Sequence, residues 1–279
     1  MSNIQSQISN IQSQLEVAYP KDEALALAWW LAEELSGLSR SQLLCGCKDT
    51  TFLANTQVFV DRLLHFEPIQ YIFGHTLWFG LDLKVTPATL IPRPETAELV
   101  EKVAAISLPN QPVKVLDIGT GSGCIAIALK KRHPQWQITG IDISEGAIEI
   151  ARENAVRNGV EVNFEVADVF EDLSDEIGRN CPFDIVVSNP PYICEKEKVS
   201  MRANVLDYEP STALFVPDND PLLFYRRIAS LHAGKYLFFE INEAYASQMQ
   251  QLLTDQGYSD ILLTNDIYGK PRIIEGKIC

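Results

Sequence analysis

Residues 113–123 read VKVLDIGTGSG. Val113, Val115, Leu116 and Ile118 mark a short apolar strand. That strand, expected over Val113–Ile118, runs into Gly119-Thr120-Gly121-Ser122-Gly123 and then into a helix-like run, Cys124–Lys131. Glycines let the chain turn sharply and let the backbone approach a ligand. The free N–H groups of the helix start face the same loop. The spacing is GxGxG rather than the GxGxxG of dinucleotide folds. Taken alone it fits either a ligand loop or a tight strand–helix turn.

Further strands are expected at Gln137–Ile141, Val162–Val166, Phe183–Ser188 and Tyr236–Ile241, with helices between them. One such helix is Ser144–Asn158, stopped by Gly159. Alternating strand and helix predicts a parallel α/β sheet with helices on both faces. Near the end, Ile261–Thr264 and Pro271–Ile278 flank the turn-rich NDIYGK and predict a hairpin forming an antiparallel edge. Ligands of such sheets bind beyond the carboxyl ends of the strands, so the loops there carry the functional information.

Toward the N-terminus the character changes. SNIQSQI (2–8) and SNIQSQL (9–15) are near-copies that put Ile4, Ile8, Ile11 and Leu15 on one helical stripe. Helical patterns follow at Asp22–Leu35, Ser39–Cys45 and Thr51–Leu64, with Trp29, Trp30 and Leu31 as core candidates. From His65 the chain becomes richer in Gly and Pro. A hairpin is expected from Leu77–Phe79 and Leu81–Val85 around Gly80, then a helix at Thr96–Ala105. The expected organisation is a helical domain over 1–74, a hairpin linker over 75–95 and an α/β domain over 96–279.

The chain has 279 residues, 46% of them hydrophobic, and a formal charge of −14. This composition excludes a disordered or fibrous chain. It also argues against tight nonspecific binding to nucleic acid, which needs clustered Lys and Arg. Residues 141–185 alone hold twelve acids against three arginines, a solvated surface. No stretch approaches the ~18 apolar residues of a membrane span. The longest apolar run, Ala24–Ala32, lies between Glu23 and Glu33, and the first residues lack a basic start and hydrophobic block. The six cysteines form no CxxC and no zinc spacing, so reduced thiols, no metal and a cytoplasmic location are expected.

Two acids strengthen the ligand reading of the glycine loop. Asp142 ends the second strand, placed for both ribose hydroxyls of a nucleoside, and Asp168-Val169-Phe170 ends the third, placed for an adenine ring. Loop, ribose acid and adenine loop in this order point to an adenosine-containing cofactor. The fourth strand ends in Asn189-Pro190-Pro191-Tyr192. Two prolines cannot continue a central strand, so the chain must leave the sheet there. The tetrad alone fits a rigid turn with a capping Asn, or a clamp. In the clamp, the Asn189 side-chain oxygen and the Pro190 carbonyl hold the two N–H groups of a planar amide or exocyclic amine. Its lone pair then faces an electrophilic carbon, and Tyr192 lies against its flat face. Fixed dipoles of this kind are worth about 3–4 kcal/mol each. No Ser or Cys nucleophile is required.

With these residues in view, the chain resembles the HemK/PrmC family of S-adenosylmethionine-dependent methyltransferases, which modify the glutamine nitrogen of the GGQ motif in peptide chain release factors. EPIQYIFG (67–74), LIPRPETAELVE (90–101), VLDIGTGSG (115–123), SNPPYI (188–193), Val205…Glu209-Pro210…Ala213-Leu214 and Asp266…Gly269…Arg272 carry the resemblance. It implies a Rossmann-like class I sheet with an antiparallel last strand and a small N-terminal helical, substrate-binding domain. It also implies cofactor contacts from Gly119, Thr120, Gly121, Ser122, Gly123, Asp142, Asp168, Val169, Phe170 and Asn189. The substrate glutamine would be gripped by Asn189, Pro190, Pro191 and Tyr192, with Arg93 and Glu95 near the cofactor mouth. Arg93 has an alternative reading as an ordinary ion pair with Glu95 or Glu98. Two stretches depart from the family pattern, DNDPLLFY (218–225) and INEAYASQ after Glu240. The expected partners are release factors, without direct nucleic-acid or membrane contact. NPPY is shared with adenine-N6 nucleic-acid methyltransferases, which are the alternative activity. A non-catalytic adaptor that only senses cofactor is the third, disfavoured by the intact glycine loop, Asp142 and NPPY.

Overall fold

The computed structural model describes residues 4–46, 55–108, 112–171 and 182–278. The chain forms two compact units, Met1–Gly74 with Arg202–Tyr208, and His75–Met201 with Glu209–Cys279.

The first unit is helical: α1 (Ile4–Leu15), α2 (Lys21–Ser36), α3 (Arg40–Gly46), α4 (Gln57–Leu64) and α5 (Ile69–Phe73). The repeated heptad forms α1, and its stripe of Ile4, Ile8, Ile11 and Leu15 is buried. Trp29 and Leu31 join Leu43, Val60 and Leu63 in the core. Trp30 is only partly buried, and its indole N–H donates to Glu34 at 3.0 Å. Residues 51–54 of the expected Thr51–Leu64 helix lie outside the described residues. The return of Arg202–Tyr208 to this unit is not visible in the sequence pattern. Arg202 pairs with Glu23 at 2.8 Å, and the Tyr208 hydroxyl donates to the His65 carbonyl at 2.9 Å.

The second unit begins with the hairpin β1 (His75–Trp78) and β2 (Leu81–Lys84). Its turn places Phe79 and Gly80 at φ 49° and 76°, so only the first of the two carries a side chain in the left-handed region. Trp78, Leu81 and Leu83 are buried with Leu99, Val100 and Val103 of α6 (Thr96–Ala104). The main sheet contains β3 (Lys114–Ile118), β4 (Gln137–Asp142), β5 (Asn163–Val166) and β6 (Phe183–Ser188). Two short strands, β7 (Ile193–Cys194) and β8 (Phe215–Val216), pair with each other. The main sheet continues with β9 (Gly234–Glu240), β10 (Ser259–Asn265) and β11 (Pro271–Lys277). Its order is β10-β11-β9-β6-β3-β4-β5. The strands from β9 to β5 run parallel, and β11 is antiparallel to both its neighbours.

The hairpin expected at the end is present and forms the antiparallel edge of the sheet, with its first strand outermost. β11 inserts between β9 and β10, and β10 takes the edge. Consecutive Ile273 and Ile274 are buried, one toward each face, as an interior strand requires. β10 has no fully buried position.

The helices α7 (Cys124–Arg132) and α8 (Glu145–Arg157) follow β3 and β4. α8 starts where expected, with the Ser144 hydroxyl accepting from the Ala147 N–H at 3.2 Å, and Gly159 follows it at φ 67°. Asn154 of α8 is fully buried and ties three segments. It accepts from the Lys84 N–H at 2.6 Å and donates to the carbonyls of Lys84 and Ser122 at 2.9 Å.

Gly140 of β4 has no room for a side chain. A Cβ there would meet Phe164 at 2.7 Å and Thr120 Oγ1 at 2.8 Å. Gly140→Ala is therefore expected to cost about 1–3 kcal/mol by overpacking. A lowered urea midpoint at unchanged slope would register it; an unchanged midpoint would show that Phe164 gives way freely.

Candidate active site

The strand order reverses at β3, which has β4 on one side and β6 on the other. The loops leaving β3 and β6 diverge there and open a crevice at the carboxyl edge. Ser188 Oγ donates to the Ile118 carbonyl at 2.6 Å and fixes the two strand ends together. A cavity of about 360 Å³ lies above them. Its lining includes Gly119, Gly121, Asp142, Asp168, Val169, Phe170, Asn189, Pro190 and Pro191, all expected site residues. That volume falls within the range of small-molecule sites, about 300–1,000 Å³.

The glycine loop is built to leave space. Gly119 and Gly121 have φ of 71° and 54°, with open space where a Cβ would stand. Both belong to the cavity lining. Thr120, Ser122 and Gly123 turn the other way. Thr120 and Ser122 are buried, and Gly123 is closed in by Ala151, Ile127 and Phe164. Thr120 Oγ1 donates to Asp117 at 2.6 Å. Asp117 is wholly buried, which pushes its carboxyl up to about 7, while the Thr120 hydroxyl pulls it back down.

Asp142 braces this loop. One carboxylate oxygen accepts from the Gly121 N–H and the other from the Ser144 N–H, each at 2.9 Å. Burial raises its pKa, and these backbone donors oppose the rise. Beyond it, Ile143 and Phe170 are large apolar side chains left 59% and 43% exposed at the cavity. The 168–170 loop is held by an Asp168 bond to the Phe170 N–H at 2.8 Å and by Arg227, which donates to the Val169 carbonyl at 2.6 Å.

The tetrad is tied to two residues that are not among the expected site residues. Asn189 Nδ2 donates to Thr96 Oγ1 at 3.2 Å, and Thr96 Oγ1 donates to Glu240 Oε2 at 2.7 Å. The other Glu240 oxygen accepts from the Tyr192 hydroxyl at 3.3 Å. Thr96 and Glu240 are 2% and 1% exposed. Burial raises the pKa of Glu240, with the Thr96 hydroxyl and the Arg272 guanidinium opposing it. Burial, then the Glu240 charge, raises that of Tyr192, so its hydroxyl stays protonated and donates. Tyr192 lies behind the clamp rather than in the cavity lining.

Arg93 and Glu95 do not line the cavity either. Arg93 pairs with neither Glu95 nor Glu98. It donates to Glu209 at 2.6 Å, and the second Glu209 oxygen accepts from the Ile91 N–H at 3.1 Å. The Trp78 indole donates to the Arg93 carbonyl at 2.7 Å. These bonds hold Ile91 and Arg93, next to the 88–90 stretch that forms one wall of the cavity. One signal could have revealed Glu240. It is an acid at the carboxyl end of an apolar strand, the position that drew attention to Asp142.

A model of the PrmC N-terminal domain matches residues 8–74, and one of the Methyltransferase small domain matches residues 97–207. A release factor glutamine methyltransferase of Bacteroides thetaiotaomicron is 44% identical over 273 residues, covering 95% of this chain and 96% of that one. The chain belongs to the release factor glutamine methyltransferase family. A further member from Flavobacterium psychrophilum is 44% identical, covering 81% of each chain. Among solved structures, the catalytic domain of human Mettl16 in complex with an RNA hairpin aligns with a TM-score of 0.55 at 20% identity. It covers 72% of this chain and 77% of that one. The N-terminal domain of human METTL16 in complex with SAH aligns at 0.51 with 19% identity, over 72% and 77% of the two chains. These two share the fold of the family's catalytic unit: a class I methyltransferase sheet. Among the described residues no helix is long and apolar enough to cross a membrane.

Proposed function

We propose that this chain methylates the side-chain amide nitrogen of the glutamine in the GGQ motif of peptide chain release factors, with S-adenosylmethionine as donor. One observation carries the reading: Asn189, Pro190 and Pro191 and the loop glycines Gly119 and Gly121 face one cavity from adjacent strand ends. The cavity fits the cofactor. Gly119 and Gly121 leave an open cradle for its amino-acid portion, Asp142 offers acceptor lone pairs to ribose hydroxyls, and Ile143, Val169 and Phe170 offer an apolar slot for adenine. Bound there, the cofactor supplies a methyl group on a sulfonium, an electrophilic carbon.

The chain's own residues then act on the acceptor. A carboxamide nitrogen is a weak nucleophile because its lone pair is delocalised into the carbonyl. Asn189 Oδ1 and the Pro190 carbonyl accept its two N–H groups, stabilise the positive charge that develops on nitrogen and turn its lone pair toward the methyl. The proline pair keeps these acceptors from relaxing. Holding the two reacting groups in line contributes up to about 7–11 kcal/mol. As the nitrogen–methyl bond forms the sulfur–methyl bond breaks and leaves a neutral thioether; the methylated nitrogen then loses its proton to water, and no dedicated base is required among the tetrad. Arg93 acts at one remove, by anchoring through Glu209 the chain beside the cavity wall. The helical unit is the region that receives the protein substrate. A translation factor as substrate places the enzyme in the cytoplasm, and its charge of −14 is poorly suited to a nucleic-acid partner.

The test is transfer of labelled methyl from S-adenosylmethionine into purified release factors, with the modified residue mapped by mass spectrometry and with DNA and RNA as parallel substrates. Label on the GGQ glutamine is expected. A release factor carrying Glu in place of that Gln has no accepting nitrogen and is expected to take up none. Label in nucleic acid, or equal label in the Glu protein, would overturn the reading.

A further inference from the structure

We infer that Thr96 and Glu240 fix which way round the Asn189 amide is held, and that this orientation makes the site select a hydrogen-bond donor, the –NH2 of a carboxamide, over an acceptor in the same place. The inference rests on the proposed function and concerns how that site chooses its substrate.

An Asn side chain ends in an oxygen that accepts and a nitrogen that donates, nearly identical in shape. Only the oxygen can hold an amide N–H, so a clamp built on Asn189 works in one of its two orientations. The choice is made from behind. A carboxylate only accepts, and Glu240 takes one proton from Thr96 at 2.7 Å and another from Tyr192 at 3.3 Å. Thr96 has a single hydroxyl proton and has given it to Glu240. Toward Asn189 it therefore presents only lone pairs. The Asn189 nitrogen is the end that can meet them, at 3.2 Å. Turning the amide over would set its oxygen against the lone pairs of Thr96 and leave a nitrogen facing the substrate. Thr96 and Glu240 are both buried, so water does not supply an alternative partner. Among the described residues Oδ1 is the end left uncommitted on a residue that lines the cavity.

The relay joins three distant parts of the chain: the first turn of α6, the end of β6 and the end of β9. The two ends of the Glu240 carboxylate thus govern two members of the tetrad, Asn189 through Thr96 and Tyr192 directly. Thr96 and Glu240 are positioning residues, since neither lines the cavity.

Full-length Thr96→Val, Thr96→Ser and Glu240→Met proteins test this. Val keeps the shape of Thr and deletes the relay; Ser keeps the hydroxyl; Met leaves Thr96 free to donate its proton to the Asn189 oxygen and so turn the amide over. Two quantities are read: turnover on the glutamine release factor, and the ratio of its dissociation constant to that of the Glu-substituted factor. Thr96→Ser is expected to stay near wild type in both. Thr96→Val and Glu240→Met are expected to lower kcat by about 10–100-fold, the scale of a small misplacement of a reacting group. Both should also reduce the binding preference for the glutamine protein, with affinity for S-adenosylmethionine kept. A loss of preference is something general structural damage would not produce. Val and Met variants that keep the wild-type preference would overturn the inference, as would losses that track cofactor affinity or are equal in the Ser variant. A wild-type chain that neither binds nor methylates the glutamine protein would overturn the functional reading itself, and this inference with it.

Discussion

Asn189→Ala is expected to lower turnover by about 10²–10³, with affinity for S-adenosylmethionine held within a few-fold. The size follows from what is removed. Under the proposed function, Asn189 supplies one of two acceptors that hold the substrate –NH2, and charge on that nitrogen grows only as the methyl transfers. An interaction that strengthens in the transition state acts on kcat rather than on ground-state binding. The Pro190 carbonyl remains in the variant, so residual activity is expected. The cofactor contacts proposed for the glycine loop, Asp142 and the 168–170 loop do not pass through Asn189. Single-turnover rates with saturating release factor, beside calorimetric titration of the cofactor, separate the two effects. Undiminished turnover would remove Asn189 from the mechanism. Loss of cofactor affinity equal to the loss of rate would make it a cofactor ligand instead.

The tetrad and the glycine loop could be read from the sequence because each is local. The expected strand Phe183–Ser188 is the observed β6, and the prolines that stop it deliver Asn189 to the sheet edge. Ser144 and Gly159 bound α8 for reasons carried by their own side chains, or lack of one. The place of β11 is a different kind of fact. A hairpin forms whichever of its strands pairs with β9, and the turn-rich 265–270 stretch is silent on that choice. Adjacent Ile273 and Ile274 argue for cover on both faces, but the competing run Ile261-Leu262-Leu263 is as apolar and still lies at the edge. Its side chains end half-exposed because tertiary pairing, not composition, decides. The Thr96–Glu240 bond spans 144 residues and the Arg93–Glu209 bond 116, so neither has a spacing signature. In the 93–96 stretch the charged Arg93 and Glu95 stand out by residue type, yet it is Thr96 that touches Asn189. The return of Arg202–Tyr208 to the helical unit was hidden for the same reason.

Asp142→Ala is expected to weaken S-adenosylmethionine binding by about 10²-fold or more. Under the proposed function two contributions are lost together. Hydrogen bonds from ribose hydroxyls to a carboxylate are worth about 1.5–3 kcal/mol each, and each 1.4 kcal/mol is about tenfold in affinity. The same carboxylate also braces the Gly121 and Ser144 N–H groups, so its removal loosens the loop that the cofactor must meet. Asp142→Asn is a sharper probe. It keeps one accepting oxygen, but its –NH2 faces a backbone donor, so one brace is broken whichever way the amide turns. A loss of about tenfold is expected, the value of a single bond to this group. The pH dependence carries a sign. Burial raises the Asp142 pKa above the ordinary carboxylate value, and the ionised form is the one that accepts. Affinity should therefore fall on acidification, beginning at a higher pH than an exposed carboxylate would give, and this dependence should be absent in Asp142→Asn. Calorimetry across a pH series measures both. Equal affinity in wild type and Asp142→Ala would mean that the acid serves only the loop, and that the ribose is recognised by the 168–170 side of the cavity.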